Sequence, residues 1–475
     1  MISAVPKPAP NRLAVLIGVC VSSFITPFAA SSVNVALPSI AKEFGIDAVT
    51  LGWISTAYLL ATATLLLPFG RLADLRGRTG MFACGSTVFV ISTTLAAIST
   101  SAPMLIAVRV LQGIGGAMVG GTGTAILVSA YPPTERGKVL GISVATVYTG
   151  LSAGPFVGGF LTEQLGWRAV YFSVVLLGLI GLGLAVVIWR TVPETLDASG
   201  EKFDVLGGII YSLTVLAVMY GFTLLPGWDG VWLILVGAVG LVAFVAWELR
   251  EKSPVLDIGL FRGNAVFAFS NLAALINYSA TFSVSFLLSL YLQYAKGIRP
   301  EIAGLVLVAS PAMQAIFSPA AGRLSDRIEP RVVASIGMAL TATGVLLLAL
   351  LESDSPVGYV IACLAILGFG FALFSSPNTN AIMSAVDRRS YGVASATVGT
   401  MRSLGQMLSM AIAMLLLSVY VGRVAITPEY YRALVTSIKV AFGISGVLCV
   451  GGILSSLARG KMRPGDEPRV QPNLQ

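Results

Sequence analysis

Long apolar runs alternate with short polar interruptions along the whole chain. Windows of about 20 apolar residues, each long enough to cross roughly 30 Å of hydrocarbon, fall at 13 to 38, 49 to 69, 80 to 100, 104 to 130, 139 to 161, 168 to 189 and 204 to 225. They continue at 230 to 248, 264 to 292, 302 to 321, 332 to 351, 356 to 377, 391 to 420 and 433 to 457. Fourteen transmembrane helices and an all-α polytopic membrane protein are therefore predicted. Two interruptions differ from the rest: "RTVPETLDASGEKFD" (190–204) and "ELREKSPVLDIGLFRGN" (248–264) are charged, carry proline, and read as linkers. Between them the seventh and eighth windows turn on "PGWDG". The expected organisation is a six-helix bundle over 1–203, a two-helix linker hairpin over 204–249, and a second six-helix bundle with a short cytoplasmic tail over 250–475. "GRLADLRGR" follows the second window of the first block and "GRLSDRIEPR" the second window of the other, as a duplicated unit would leave them. A cavity between the halves, with cargo held near the bilayer midplane, is the expected consequence.

Composition supports lipid as the solvent. The 475 residues are 56% hydrophobic and 11% charged, and the mean hydropathy is +0.87; in water such a chain would expose apolar surface everywhere. Charge then sets orientation. With both termini in the cytoplasm, 21 of the 30 basic residues lie on cytoplasmic segments, 7 on external ones, and Arg109 and Arg402 inside helices, as the positive-inside rule requires. The net charge of +8 thus reads as topology and contact with an anionic leaflet, not as nucleic-acid binding. The opening "MISAVPKPAPN" is too short and proline-rich for a cleavable signal, so the first helix is expected to direct its own insertion. Cys20, Cys84, Cys363 and Cys449 show no CxxC spacing and the chain has no His, so structural thiols, no metal site and no cofactor are expected.

In "PFGRLADLRGRTGMF" (68–82), Asp74 lies among Arg71, Arg76 and Arg78, between glycines that let two helices turn closely. The pattern permits a breakable charge latch, or only a solvated turn that anchors topology. In "GLSAGPFVGG", Gly150 and Gly154 form a GxxxG face, Pro155 removes a backbone donor, and Gly158 and Gly159 follow, which suits either a hinge helix or ordinary close packing. Arg109 stands roughly 9 Å below the outer start of its helix, with Gln112 one turn on and on the same face. A charge there needs partners or water, so it either lines a cavity or bonds free carbonyls. Arg402, roughly 20 Å into its helix, is a second candidate. Tyr58, Asn271, Asn277, Tyr278, Gln314, Asn378, Asn380 and Gln406 offer further polar groups to cargo or to neighbouring helices.

The spacing Gly70, Asp74, Gly77, Arg78 resembles the signature loop of the major facilitator superfamily. "WISTAYLL" from Trp53, "LIAVRVLQGIGGA" with Arg109 and Gln112, "GLSAGPFVGG", "WRAVYF" from Trp167 and "MRSLGQ" around Arg402 are similar to that superfamily's fourteen-helix drug:proton antiporter branch. The resemblance runs from the first helix to the fourteenth. It implies two six-helix bundles plus two inserted helices, and a monomeric multi-pass protein of the cell membrane that exports small amphipathic molecules by alternating access. One feature departs from it. The branch keeps an aspartate five residues before the Asn of "VNVALP"; that Asn is Asn34 and the position is Ala29.

All 22 acidic residues fall in loops or at predicted helix ends, so no group able to carry a proton stands at midplane. Drive is left to a helix-end carboxylate such as Asp74 or Glu163, to another ion or counter-substrate, or to facilitated diffusion. A carrier of anionic metabolites anchored by Arg109 and Arg402 is the alternative; a receptor or scaffold without flux is more remote. A membrane enzyme is not expected, because no nucleophile and base arrangement is visible.

Overall fold

The computed structural model describes residues 12–192, 202–251, 253–256, 258–325, 327–386 and 391–460. The expected C-terminal tail and most of the 190–204 linker lie outside these residues. Fourteen helical spans long and apolar enough to cross a membrane are present among them, as the apolar windows predict. The first six are α1 (Arg12–Phe44), α2 (Ala48–Arg76), α3 (Arg78–Ala97), α4 (Ala102–Ala130), α5 (Pro133–Leu165) and α6 (Trp167–Thr191). The hairpin is α7 (Val205–Leu224) and α8 (Trp228–Glu248). The ninth span consists of α9 (Ala265–Thr281) and α10 (Ser283–Leu290), the tenth of α11 (Pro300–Leu307) and α12 (Ala309–Ser325). The last four are α13 (Pro330–Leu348), α14 (Val357–Ser384), α15 (Tyr391–Tyr420) and α16 (Tyr431–Ala458).

Local chemistry sets the helix ends. Asp47 caps α2, its Oδ1 accepting from the backbone of Val49 and Thr50 at 2.9 and 3.0 Å. Partial burial opposes its charge, but these donors and the Thr50 hydroxyl outweigh that and hold the carboxyl below the usual range. Gly77, at φ +118°, takes a conformation other residues rarely adopt and separates α2 from α3.

Two breaks were not visible in the apolar pattern. Pro311 has no N–H for the carbonyl of Leu307 four residues back, and the tenth span is interrupted at Val308. At the α9–α10 junction the backbone N–H of Ser283 donates to Ser409 Oγ on α15 at 3.0 Å. A side chain from a neighbouring helix thus satisfies backbone that lipid would leave unpaired.

α1 packs on α5 and α6, α2 on α4, and α3 on α4 and α6; in the other half α13 packs on α14 and α16, α12 on α14, and α9 on α15 and α16. The result is two six-helix bundles. The hairpin touches the first through α2 and the second through α15, with Tyr211 and Ser212 donating to the carbonyls of Ala63 and Thr64, each at 3.0 Å. Val239 and Val242 on α8 are each 70% exposed, so the outer face of the hairpin is solvated by lipid.

Candidate transport site

The halves meet in a seam that is tight at the end where α5 stops and α11 begins. On α5, Gly159 lies so close to the carbonyl of Pro300 that an added Cβ would collide with it, and Gly304 on α11 stands in the same relation to the carbonyl of Pro155. Small residues let the two backbones touch. Pro38 offers no N–H to the carbonyl of Asn34, and Ser289 Oγ on α10 donates to that oxygen at 2.9 Å. Gln293 Nε2 donates to the Val35 carbonyl, also at 2.9 Å. Thr56 Oγ1 meets Met414 Sδ at 3.0 Å, and the Ala48 N–H donates to the carbonyl of Val424 at 3.1 Å.

The glycines of α5 therefore serve two partners. Gly150, Gly154 and Gly158 face α1, against Phe24, Ser31 and Ser32 of their own half, whereas Gly159 faces the opposite one. Four-residue spacing keeps the first three on one stripe; one residue more turns about 100° around the helix.

Deeper in the seam, Tyr148 on α5 and Ser375 on α14 share a hydrogen bond of 2.7 Å across the halves. Tyr278 on α9 packs edge-on against Phe371, ring centroids 5.4 Å apart. The Arg402 guanidinium carbon stands 5.4 Å from the Tyr278 ring centroid, with Tyr148 also within its electrostatic reach. Arg402 Nε is buried and has no hydrogen-bond partner among the described residues. A buried donor without an acceptor is costly, and an arriving ligand would supply one. Tyr148, Phe371 and Ser375 were not anticipated from the sequence, although Tyr148 lies two residues before Gly150 on the helix already singled out.

Arg109 has a different setting. It is 1% exposed, its Nε donates to the Ile54 carbonyl at 2.9 Å and its Nη1 to Gln112 Oε1 at 2.6 Å. Gln112 Nε2 passes the chain on to Thr93 Oγ1 at 2.8 Å, and Tyr58 lies beneath the guanidinium, its ring centroid 4.6 Å away. Of the two arrangements open to this arginine, the carbonyl-bonded one is observed, and it ties α2, α3 and α4 inside the first half.

The remaining polar residues are distributed, not gathered. Asn271 Nδ2 donates to the Phe267 carbonyl at 2.9 Å and Gln314 Nε2 to Ser310 Oγ at 3.3 Å. Gln406 is half-buried. Asn277 is fully buried, with neither amide atom hydrogen-bonded among the described residues. Asn380 Nδ2 reaches Ser325 Oγ at 3.3 Å. Asn378 Nδ2 donates to the Ser270 carbonyl at 3.0 Å and its Oδ1 accepts from Arg459 Nη1 at 3.0 Å, tying α14, α9 and the end of α16 together. Burial pulls the Arg459 guanidinium down to about 10 against the opposing influence of Glu329. Ala29 is buried within the core.

In the signature loop, Arg78 Nε and Asp74 Oδ1 form an ion pair of 2.7 Å across Gly77, so the end of α2 is stapled to the start of α3. Gly70 packs on Gly121 of α4. Replacing Asp74 with Asn keeps the shape and removes the charge. Transport per molecule is expected to fall several-fold at normal membrane abundance; unchanged flux would reduce the loop to a topological anchor.

Comparison with known proteins agrees with this geometry. The Major Facilitator Superfamily model matches residues 19–247 and 270–473. The chain is 30% identical to the riboflavin transporter RibZ of Clostridioides difficile (strain 630), over 82% of this chain and 85% of RibZ. It is 30% identical to the multidrug resistance protein Stp of Mycobacterium tuberculosis, over 85% of this chain and 75% of Stp. Identity to the multidrug efflux pump LfrA of Mycolicibacterium smegmatis is also 30%, over 79% of this chain and 75% of LfrA. An inward-facing, unoccupied bacterial homolog of the human lysosomal transporter Spinster superposes with a TM-score of 0.68 at 16% identity, covering 95% of this chain and 98% of that one. With two six-helix bundles, the signature loop and a family match over most of its length, the chain belongs to the Major Facilitator Superfamily of membrane transporters.

Proposed function

We propose that the protein exports small amphipathic molecules across the cell membrane by alternating access, with cargo held mid-membrane against Arg402, Tyr278, Phe371 and Tyr148. The observation that carries this is the seam: its outer end is sealed by glycine contacts that a small rotation of the halves would release, while its middle keeps a guanidinium nitrogen with no hydrogen-bond partner among the described residues. The relatives LfrA, a multidrug efflux pump, and Stp, a multidrug resistance protein, support export as the direction of transport. Both termini are placed in the cytoplasm on the threefold excess of basic residues there, and the bundles meet the hairpin at 203/204 and 249/250. In this reading Arg109 and Gln112 brace the first half, Gly150, Gly154 and Gly158 seat α5 on α1, and Asp74, Gly70, Arg71, Gly77 and Arg78 gate the cytoplasmic side.

A second reading, a carrier for anionic or electron-rich planar compounds, is favoured by Arg402 itself. Among the described residues its electrostatic partners are two tyrosines, Tyr278 and Tyr148, and the relative RibZ is named for riboflavin.

Purified protein in liposomes tests both readings. Flux of cationic, neutral and anionic compounds is measured under imposed pH, Na⁺ and voltage gradients, and labelling of a Gly227→Cys variant reports which face is outside. Exchange of one proton per cargo would change the limiting accumulation about tenfold per pH unit. With Ala29 in place of an acid, less than about twofold is expected, and Ala29→Asp should introduce proton dependence. Absence of flux for every compound would sink the transport site, and tenfold pH drive surviving Asp74→Asn and Glu163→Gln would sink the energetic reading.

A further inference from the structure

Two carboxylates meet at the foot of the hairpin, away from the seam. Asp204, 8% exposed, precedes α7; its Oδ1 accepts from Gly207 N at 2.8 Å and its Oδ2 from the Trp247 indole Nε1 at 2.9 Å. Glu248 ends α8 and is 3% exposed. Its Oε2 accepts from the backbone of Leu256 at 3.0 Å, while Oε1 is buried with no hydrogen-bond partner among the described residues. Both side chains crowd Gly207. A Cβ there would stand 2.6 Å from Glu248 Oε1 and nearer still to Asp204 Oδ2, so the two oxygens are at most about 5 Å apart, a separation at which buried like charges interact strongly.

Neither acid forms an ion pair among the described residues. Lys202 and Arg250 are exposed to water, and Glu251 adds a further negative charge. α2, which meets the start of α7 at Pro68 beside Gly208, carries Arg71, Asp74 and Arg76 near the same membrane face. α15, also packed on α7, bears Arg402 at mid-membrane.

The helix termini distinguish the two acids. Asp204 caps α7, where exposed N–H groups and the positive dipole end favour an anion; Glu248 sits among the terminal carbonyls of α8, where an anion is disfavoured. Two buried carboxylates this close do not both ionise readily.

We propose that Glu248 is a proton-binding site: its Oε1 holds a proton, so that the two carboxyl groups together carry a single charge, and the hairpin foot is closed only in this form. When the proton leaves, repulsion acts across Gly207. The contact exposed to that repulsion is the one from Glu248 to Leu256, which anchors the segment leading to the second half. The connection between hairpin and second bundle thereby becomes sensitive to pH on this face of the membrane.

Trp247 supplies the readout, since its indole is bonded to Asp204. In nanodiscs the fluorescence difference between the native protein and Trp247→Phe is recorded from about pH 5 to 8, the range in which histidine would titrate, and this chain has no histidine. A single-proton transition is expected in the native protein, abolished in Glu248→Gln and moved to lower pH by about a unit or more in Asp204→Asn. A flat native signal, or a transition that Glu248→Gln leaves unchanged, would overturn the assignment. Should Glu248→Gln fail to fold, carbodiimide labelling of the native protein decides, because the reagent attacks protonated buried carboxyls. An adduct on Glu248, read by mass spectrometry, should decline about tenfold per pH unit above the transition; no adduct at any pH refutes the site.

Discussion

Gly159→Val is expected to open the outer seal and lower transport by about tenfold or more. The added side chain would enter the space held by the Pro300 carbonyl, so α5 and α11 cannot approach as they do here. Overpacking of this kind costs about 1–3 kcal/mol. Because the contact joins opposite halves, the cost falls on the outwardly closed state alone, and a bias of that size shifts a two-state equilibrium by about 5- to 150-fold. A cysteine at Thr56, within the outer seam, should become more reactive to an external thiol reagent as flux falls. Gly154→Ala is the control, for its Cβ would strike Ser31 within the same half. It should lower abundance without changing the reactivity at Thr56. If the two variants behave alike, the division of α5 between an internal and a cross-half face is wrong.

The second large effect separates the two intramembrane arginines. Arg402→Gln removes a guanidinium whose Nε has no hydrogen-bond partner among the described residues and which otherwise meets the Tyr278 side chain, so the fold is expected to lose less than in Arg109→Gln. Flux of an anionic cargo is expected to fall about tenfold, the loss of one charge-assisted hydrogen bond, while a neutral cargo changes by less than about threefold. Arg109→Gln takes away a second donor to the Ile54 carbonyl and the donor to Gln112 Oε1, leaving that buried side-chain acceptor unpaired at about 1–3 kcal/mol. Its thermal transition should drop and every cargo should suffer alike. Cargo-selective loss in Arg109→Gln, with unchanged melting, would exchange the roles assigned to the two residues.

Much of the architecture could be read without a structure because it depends on neighbours along the chain. An apolar stretch of about 20 residues must span lipid as a helix whatever packs beside it, since no water is there to satisfy its backbone. Hence the fourteen spans, the hairpin bracketed by two polar linkers, and the turn at Gly77 were all legible. So was the missing acid at Ala29. The breaks at Phe282 and Val308 were not, because one is completed by Ser409 from 126 residues away and the other lies before Pro311 in a window that also carries Pro319, which interrupts nothing.

What the amino-acid order determined by itself is thus the class of protein, its helices and the resemblance of its signature loop. Only tertiary structure decided which arginine is enclosed and which keeps an unpartnered nitrogen, which of five residues on α5 faces the other half, and that Asp204 and Glu248 share one pocket. The physical reason is the same in each case. Helices apolar on all sides carry little signal of which face meets a partner, and a carbonyl, a glycine or a carboxylate gains its role from the group that another helix brings against it.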